Sequence, residues 1–349
     1  MFYVRAYKRQ VPLRWRSCFV FLGAVGFSLA VSALMLALQG KPALAGVGLL
    51  FQGAWGSLWA VEDCLLKAVP IFLCSLGVAI AFRLQFWNIG AEGQFAFGAI
   101  GATWMALSFP SLPWFGLLPL MALASFLLGG AWGLVPAYLK LRARANEIIV
   151  SLMLNYIAIL FLDYLVYGRW KDPRSFGFPM TREFPAGAII AKIAGSNLHW
   201  GLVLCVISGL LVWTRLGFEF RAAGENRRAT RYANLPYERL VALAMLFSGA
   251  FAGWAGYVEA AATMHRLQPS IMVGYGYTAI VVAWLARLNP LAIGLTSFLL
   301  AALRVGVENM QLELQVPAAF GGIVEGLILL SVLSGSFFIE YGVRLRRVP

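Results

Sequence analysis

The sequence predicts an all-α fold: a polytopic transmembrane helix bundle of about ten spans, several of them broken. Three observations predict it. Of 349 residues, 61% are hydrophobic and only 12% charged, with a mean hydropathy of +0.78, more apolar than the solvated surface of a soluble domain allows. Apolar runs recur along the whole chain with short loops between them, so residues 1–349 read as a single transmembrane domain. Basic residues cluster between the runs and tryptophans fall near their ends, as the positive-inside rule and the interfacial aromatic belt require.

The first run, Cys18 to Leu38, follows Arg5, Lys8, Arg9, Arg14 and Arg16. It is longer than a signal-peptide core of roughly 7 to 15 residues, so it reads as a retained span, despite an "ALA" at Ala43 to Ala45 that resembles a cleavage site. Residues Lys41 to Lys67 lie on the face opposite the N-terminus, and their "LLFQGAWGSLWAVEDCLL" reads as an amphipathic element along the interface. Further spans follow at Ala68 to Ala81, Phe95 to Phe109, Phe115 to Leu139, Ile148 to Tyr167, Trp200 to Trp213 and Leu240 to Ala262, and then at Tyr277 to Ala286, Leu291 to Val305 and Val316 to Leu333. Two of these, Ala68 to Ala81 and Tyr277 to Ala286, are shorter than the roughly twenty residues that cross a bilayer, and "NIGAEG" and "RLNP" follow them. Broken helices of this kind expose backbone groups, which is tolerated only inside protein or along a wet cavity.

Ten spans put both termini on one face. That face collects the N-terminal cluster, Lys140, Arg142 and Arg144, the segment 215–239, and Arg344, Arg346 and Arg347, and so is the cytoplasmic one. The loop 168–199 then lies outside. This pattern explains the net charge of +13 by orientation rather than by nucleic-acid binding. Cys18, Cys64, Cys74 and Cys205 have no metal-type spacing, so no metal and no disulfide framework are expected. His199 and His265 are the only histidines, and no nucleophile or metal cluster accompanies them, which argues against an enzyme and gives no catalytic residue.

"FWNIGAEGQFAFGAIGA", Phe86 to Ala102, sets Asn88, Glu92 and Gln94 among glycines. An ionisable group at the bilayer centre costs at least about 2.5 to 3.5 kcal/mol on insertion scales, so these three face protein, water or the cytoplasm. Two readings follow: the trio caps helix ends, or it faces a solute. Other embedded polar residues are Asn146, Glu147, Asn155, Asp163, Glu259, Glu308, Asn309, Gln311 and Glu325. Each first reads as a helix-to-helix hydrogen-bond partner.

The most polar long segment, "TRLGFEFRAAGENRRATRYANLPYERL", lies on the cytoplasmic face. Gly224, Glu225 and Asn226 supply a turn and a helix N-cap, "RRATRYA" gives one or two helical turns, and "NLP" ends them. Such a helix suits docking to a partner protein; the plainer reading is a basic loop that fixes topology. The only Gly-Lys pair, Gly40-Lys41, precedes Pro42, so no phosphate-binding loop is present and the chain is not itself an ATPase. An ion-coupled secondary carrier, using carboxylates such as Glu92, Glu259 and Glu325, is the alternative class.

Six stretches, "FWNIGAEGQFAFGAIGA", "ANEIIVSLMLNYIA", "RAAGENRRATRYANL", "MLFSGAFAGWAGYVE", "GYGYTAIVVAWLARLNP" and "VGVENMQLELQVP", resemble in order and over nearly the whole chain the ATP-binding cassette (ABC) transporter permeases of the branched-chain amino acid and ribose superfamily. They most resemble the longer of the two permeases in nucleoside and simple-sugar importers. The resemblance implies a type II-like importer permease in the cytoplasmic (inner) membrane. Its expected partners are an ABC ATPase that binds the ATP, a second homologous permease and an extracytoplasmic solute-binding lipoprotein. Gly224, Glu225, Asn226, Arg231 and Tyr232 match the family's coupling segment and are the expected ATPase contacts, although "RRAT" departs from the commoner "NP-x-A-A" form. The first stretch matches an "FNIGAEGQ" core with Trp87 inserted between Phe86 and Asn88. Asn88, Glu92, Gln94, Asn155, Tyr156, Tyr275 and Tyr277 are the residues expected to line the path, with amides and aromatic rings meeting a ribose and a base, although tyrosines in membrane helices more often serve packing.

Overall fold

The computed structural model describes residues 2–8, 17–212, 214–225, 230 and 236–347. After a terminal strand β1 (Phe2–Lys8), the helices are α1 (Ser17–Leu38), α2 (Ala43–Trp55), α3 (Leu58–Arg83), α4 (Ala91–Ser108), α5 (Trp114–Ala143), α6 (Glu147–Tyr167), α7 (Leu202–Val212) and α8 (Arg215–Glu225). They continue as α9 (Tyr237–Val258), α10 (Tyr275–Leu285), α11 (Pro290–Leu314) and α12 (Ala318–Glu340), and the chain ends in strand β2 (Tyr341–Arg347). Among the described residues six helices are long and apolar enough to cross a membrane, and a seventh span results if α7 and the residues 217–225 of α8, bent by 52°, count as one.

The short span expected at Ala68 to Ala81 is part of a 26-residue helix, α3. Glu62, Asp63 and Lys67 do not interrupt it, because Glu and Lys propagate a helix well, enough to carry the poorer Asp63, and Glu62 is buried rather than solvated at an interface. The amphipathic element expected at Lys41 to Lys67 therefore divides into α2 and the first turns of α3, separated at Gly56 and Ser57. The short helix expected at Tyr277 to Ala286 is found as α10, 11 residues long. Two successive left-handed residues, Arg287 and Leu288, end it. Trp55, Trp59, Trp114 and Trp200 are exposed, as interfacial residues are.

The chain divides into two compact units, residues 1–64 with 302–349, and residues 65–301. In the first, β1 and β2 pair antiparallel from Phe2 opposite Arg347 to Lys8 opposite Tyr341, a small ribbon that the all-α expectation did not include. Leu36, Leu50, Met310, Phe320 and Val324 form its apolar core. Asn309 donates from Nδ2 to the Leu49 carbonyl at 3.0 Å, and Arg304 pairs with Glu325 at 3.8 Å, the helix-to-helix roles expected of embedded polar groups.

In the second unit α4, α5 and α9 meet backbone to backbone. A Cβ placed on Gly98 would strike Gly253, one on Gly129 would strike Gly249 and Gly253, and one on Gly256 would strike Phe95 and Ala99. Without a hydrophobic force between helices in lipid, this close approach is what holds such a seam, together with interhelical hydrogen bonds. Ser125 donates to the Gly98 carbonyl at 2.7 Å and the Trp254 indole to the Ala122 carbonyl at 3.1 Å.

The segment 168–201 packs on the chain that follows α9. Thr181, Phe184 and Ile190 donate backbone hydrogen bonds to the carbonyls of Leu267, His265 and Ala261. His199 is 3% exposed. Its Nδ1 accepts from the Gly201 amide at 3.1 Å and its Nε2 has no partner among the described residues. Burial pushes its pKa down to about 4.

Candidate functional site

The connection between α3 and α4, residues 84–90, carries the polar stretch, and the bundle closes around it. Asn88 is fully buried and forms a reciprocal amide pair with Gln94, Nδ2 to Oε1 at 3.0 Å and Nε2 to Oδ1 at 3.1 Å. Asn88 Nδ2 also reaches Ser248 Oγ on α9 at 2.9 Å, and its Oδ1 accepts from the Gly90 amide at 2.9 Å. Ser248 lies 11 residues into α9 by number, about 16 Å along the axis at 1.5 Å per residue. The turn is thus well inside the bundle rather than at its rim.

Asn155 of α6 stitches the other side. Its Oδ1 accepts from the Gly93 amide at 2.8 Å, and its Nδ2 donates to the Ile89 carbonyl at 2.8 Å and to the Tyr277 hydroxyl at 3.3 Å. Ser151, one turn earlier, accepts from the Ile89 amide at 3.1 Å. The Ile89 and Gly90 amides thus find the side chains of Ser151 and Asn88, while the amides of Leu84, Gln85 and Phe86 turn back onto carbonyls of α3, the pairing that irregular backbone inside a bundle requires.

Glu92 does something different. It stands in the first turn of α4, yet its carboxylate accepts from the amides of Gly274 at 3.0 Å and Gly276 at 2.7 Å, the N-cap and second residue of α10. Two helix N-termini thus converge on one carboxylate, whose charge both macrodipoles favour. Gly274 adopts φ +86°, and Gly276 has no room for a Cβ, which would strike the backbone of Ala91 and Glu92. Only glycine permits this head-to-head approach.

The seven residues expected along the path therefore divide. Asn88, Glu92, Gln94 and Asn155 are all buried around one short stretch of chain: Asn88 pairs with Gln94, Asn155 bonds the Ile89 carbonyl and the Gly93 amide, and Glu92 takes the α10 amides. Tyr275 is buried too, edge-on to Phe95 at 5.9 Å. Tyr277 and Tyr156 are 38% and 55% exposed, and Asn155 links the first of them to the buried amides. Trp87, the residue extra to the family core, is half exposed and stacks on Trp284 of α10 at 5.4 Å. Ser151, Ser248 and Arg83 were not singled out in the sequence; a serine in an apolar helix carries no signal of which distant amide it meets.

Of the expected ATPase contacts, Asn226, Arg231 and Tyr232 lie outside the described residues. Gly224 and Glu225 are helical residues of α8 rather than a turn. The reason is an i, i+3, i+7 face: Gly217, Phe220 and Gly224 are buried while Phe218, Arg221 and Glu225 are exposed, with Arg221 and Glu225 paired at 3.1 Å. Gly224 is the point of closest approach, since a Cβ there would meet the Arg83 carbonyl and Leu84.

The family described as branched-chain amino acid transport system / permease component matches residues 60–333. The chain belongs to this family. It is similar to a glucose ABC transporter permease protein of Haloferax volcanii, 32% identical over 90% of this chain and 87% of that one, and to a guanosine ABC transporter permease protein of Bacillus subtilis, 32% identical over 91% and 93%. A nucleoside ABC transporter permease protein of Lactococcus lactis is 28% identical over 84% and 85%. The chain is accordingly an integral-membrane permease subunit of an ABC importer, and the ion-coupled alternative falls away.

Proposed function

We propose that this permease carries nucleosides or related simple sugars across the cytoplasmic membrane by alternating access, driven by a separate ATPase subunit. It would work as one permease domain spanning residues 1–349, type II-like with about ten spans, both termini cytoplasmic. A second homologous permease and an extracytoplasmic solute-binding lipoprotein would complete the complex. The names of the relatives support the solute class. The observation that carries the mechanism is the meeting of two helix N-termini on Glu92, beside an amide network that reaches the exposed Tyr277.

ATP binding in the partner would move the end of α8 and the segment after it, around Gly224, Glu225, Asn226, Arg231 and Tyr232, and tilt the central helices. Asn88 and Gln94 are sealed by each other and Asn155 by the backbone of residues 89–93 in the conformation described above, so a solute would first meet Tyr277 and Tyr156. Their rings can stack on a base and their hydroxyls can bond a ribose. Binding on the path should be weak, because a path must release its cargo.

The test is uptake into proteoliposomes holding the whole complex. Nucleoside or sugar accumulation that requires internal ATP and receptor supports the reading. Accumulation by the permease alone, on an imposed proton or sodium gradient, refutes it.

A further inference from the structure

Helix α10 is gripped at both ends by the same short piece of chain. At its N-terminus stands the Glu92 carboxylate. Beyond its C-terminus, the Leu288 carbonyl accepts from Arg83 Nη2 at 2.8 Å. Arg83 ends α3 and Glu92 begins α4, so the connection between them runs alongside α10 and sets a base and an acid at the two poles of its dipole, each at the pole it favours. The stack of Trp87 on Trp284 and the contact of Phe82 with both rings, at 5.1 and 6.0 Å, fasten the last turn of α10 beside Arg83.

Arg83 also faces outward from this clamp through its backbone. Its carbonyl is what a Cβ on Gly224 would strike, so α8 rests directly on the residue that holds α10. A cavity of about 20 Å³ lined by Val212, Gly217, Phe220 and Phe251 lies beside α8. The contact at Gly224 is backbone on backbone and cannot yield by a rotamer change.

We infer that Arg83 is a positioning residue that passes displacement of α8 to α10, with α10 and residues 83–87 moving as one body that carries Tyr277. This rests on the proposed coupling of α8 to the ATPase for what moves α8. The route from Gly224 to Tyr277 then runs through one backbone contact, one charge-assisted hydrogen bond and an 11-residue helix. Small displacements survive along packed, stiff elements of this kind.

The test uses the complete transporter in proteoliposomes, with the four native cysteines replaced by alanine and Val273→Cys as reporter. Val273 is exposed and immediately precedes the N-cap of α10. Its alkylation rate by a water-soluble maleimide is measured with and without ATP and vanadate, beside uptake and ATP turnover. With Arg83 present, trapping should change the rate. R83Q should shrink that change on the order of tenfold while ATP turnover continues, and R83K should restore it. Where R83Q fails to assemble, G224A, which pushes a methyl against the Arg83 carbonyl, should lose the same response. A reporter that ignores trapping in a working transporter, or that responds equally with R83Q and G224A, overturns the inference. Loss of ATP-dependent uptake in the parent complex would instead refute the importer mechanism.

Discussion

Replacing Glu92 by Gln keeps the size of the side chain and removes its charge, so it isolates the cap of α10. The carboxylate accepts two amide hydrogens, from Gly274 and Gly276. Glutamine has one carbonyl oxygen and can keep one of them. The other amide then faces an NH₂ group. The lost charge-assisted bond is worth about 1.5 to 3 kcal/mol, and the lost interaction with the helix N-terminus up to about 2 kcal/mol in a partly buried geometry. Glu92 is 2% exposed, so solvent does not repair either loss. The cost should therefore be about 2 to 5 kcal/mol. For a unit of the size of residues 65–301, each kcal/mol moves the midpoint by about 2 to 4 °C, which predicts a fall on the order of 10 °C in the thermal unfolding of the detergent-purified protein. Glu183→Gln, at a carboxylate whose side chain is 67% exposed, is the control and should stay within about 0.5 kcal/mol. An E92Q midpoint no lower than that of the control would refute the cap as a structural element and return Glu92 to the solute.

Gly253→Ala places a methyl against the Ser125 carbonyl in the seam of α4, α5 and α9; it should cost about 1 to 3 kcal/mol, seen as a lower melting midpoint, whereas Gly322→Ala, where nothing lies within 4 Å, should not. Asn155→Leu leaves the Gly93 amide and the Ile89 carbonyl unpaired and should cost about 2 kcal/mol, with uptake impaired more than by Tyr277→Phe, which removes only the hydroxyl that Asn155 meets. His199 has its pKa lowered from 6.5 to about 4, so the unfolded chain takes up the proton first as pH falls. The stability of the neutral imidazole is complete above about pH 6.5 and lost progressively down to about pH 4, about 3 kcal/mol in all. Melting midpoints between pH 7 and 4 should fall for the natural protein and much less for His199→Asn.

The apolar runs made the helices legible, because a helix in lipid must satisfy its own backbone and so advertises itself by composition alone. Their ends were less so. Glu62, Asp63 and Lys67 read as an interfacial element, yet they belong to the first turns of α3, where Glu62 is buried. Polarity in a window of sequence cannot say whether neighbouring helices will cover it. Gly224 shows the same limit from the other side. A glycine followed by Glu and Asn resembles a turn, but here it lies within a helix, and its small size serves the approach of Arg83 rather than the backbone angle.

The polar stretch at 86–94 was visible as an anomaly, since three amide and carboxylate side chains in an oily chain demand partners. The partners were not visible. Ser248 and Asn155 stand 160 and 62 residues from the groups they bond, and Gly274 and Gly276 offer Glu92 only their backbone amides, which every residue but proline possesses. Two readings of Glu92 were open, cap or solute contact, and the geometry shows why they need not compete. A carboxylate that holds the N-terminus of α10 is released only if α10 moves, and whatever displaces α10 uncovers Glu92 together with Asn155 and Tyr277. The group that stabilises the closed junction is then the same group that an opened junction would present, so the strength of the cap sets how readily the path opens.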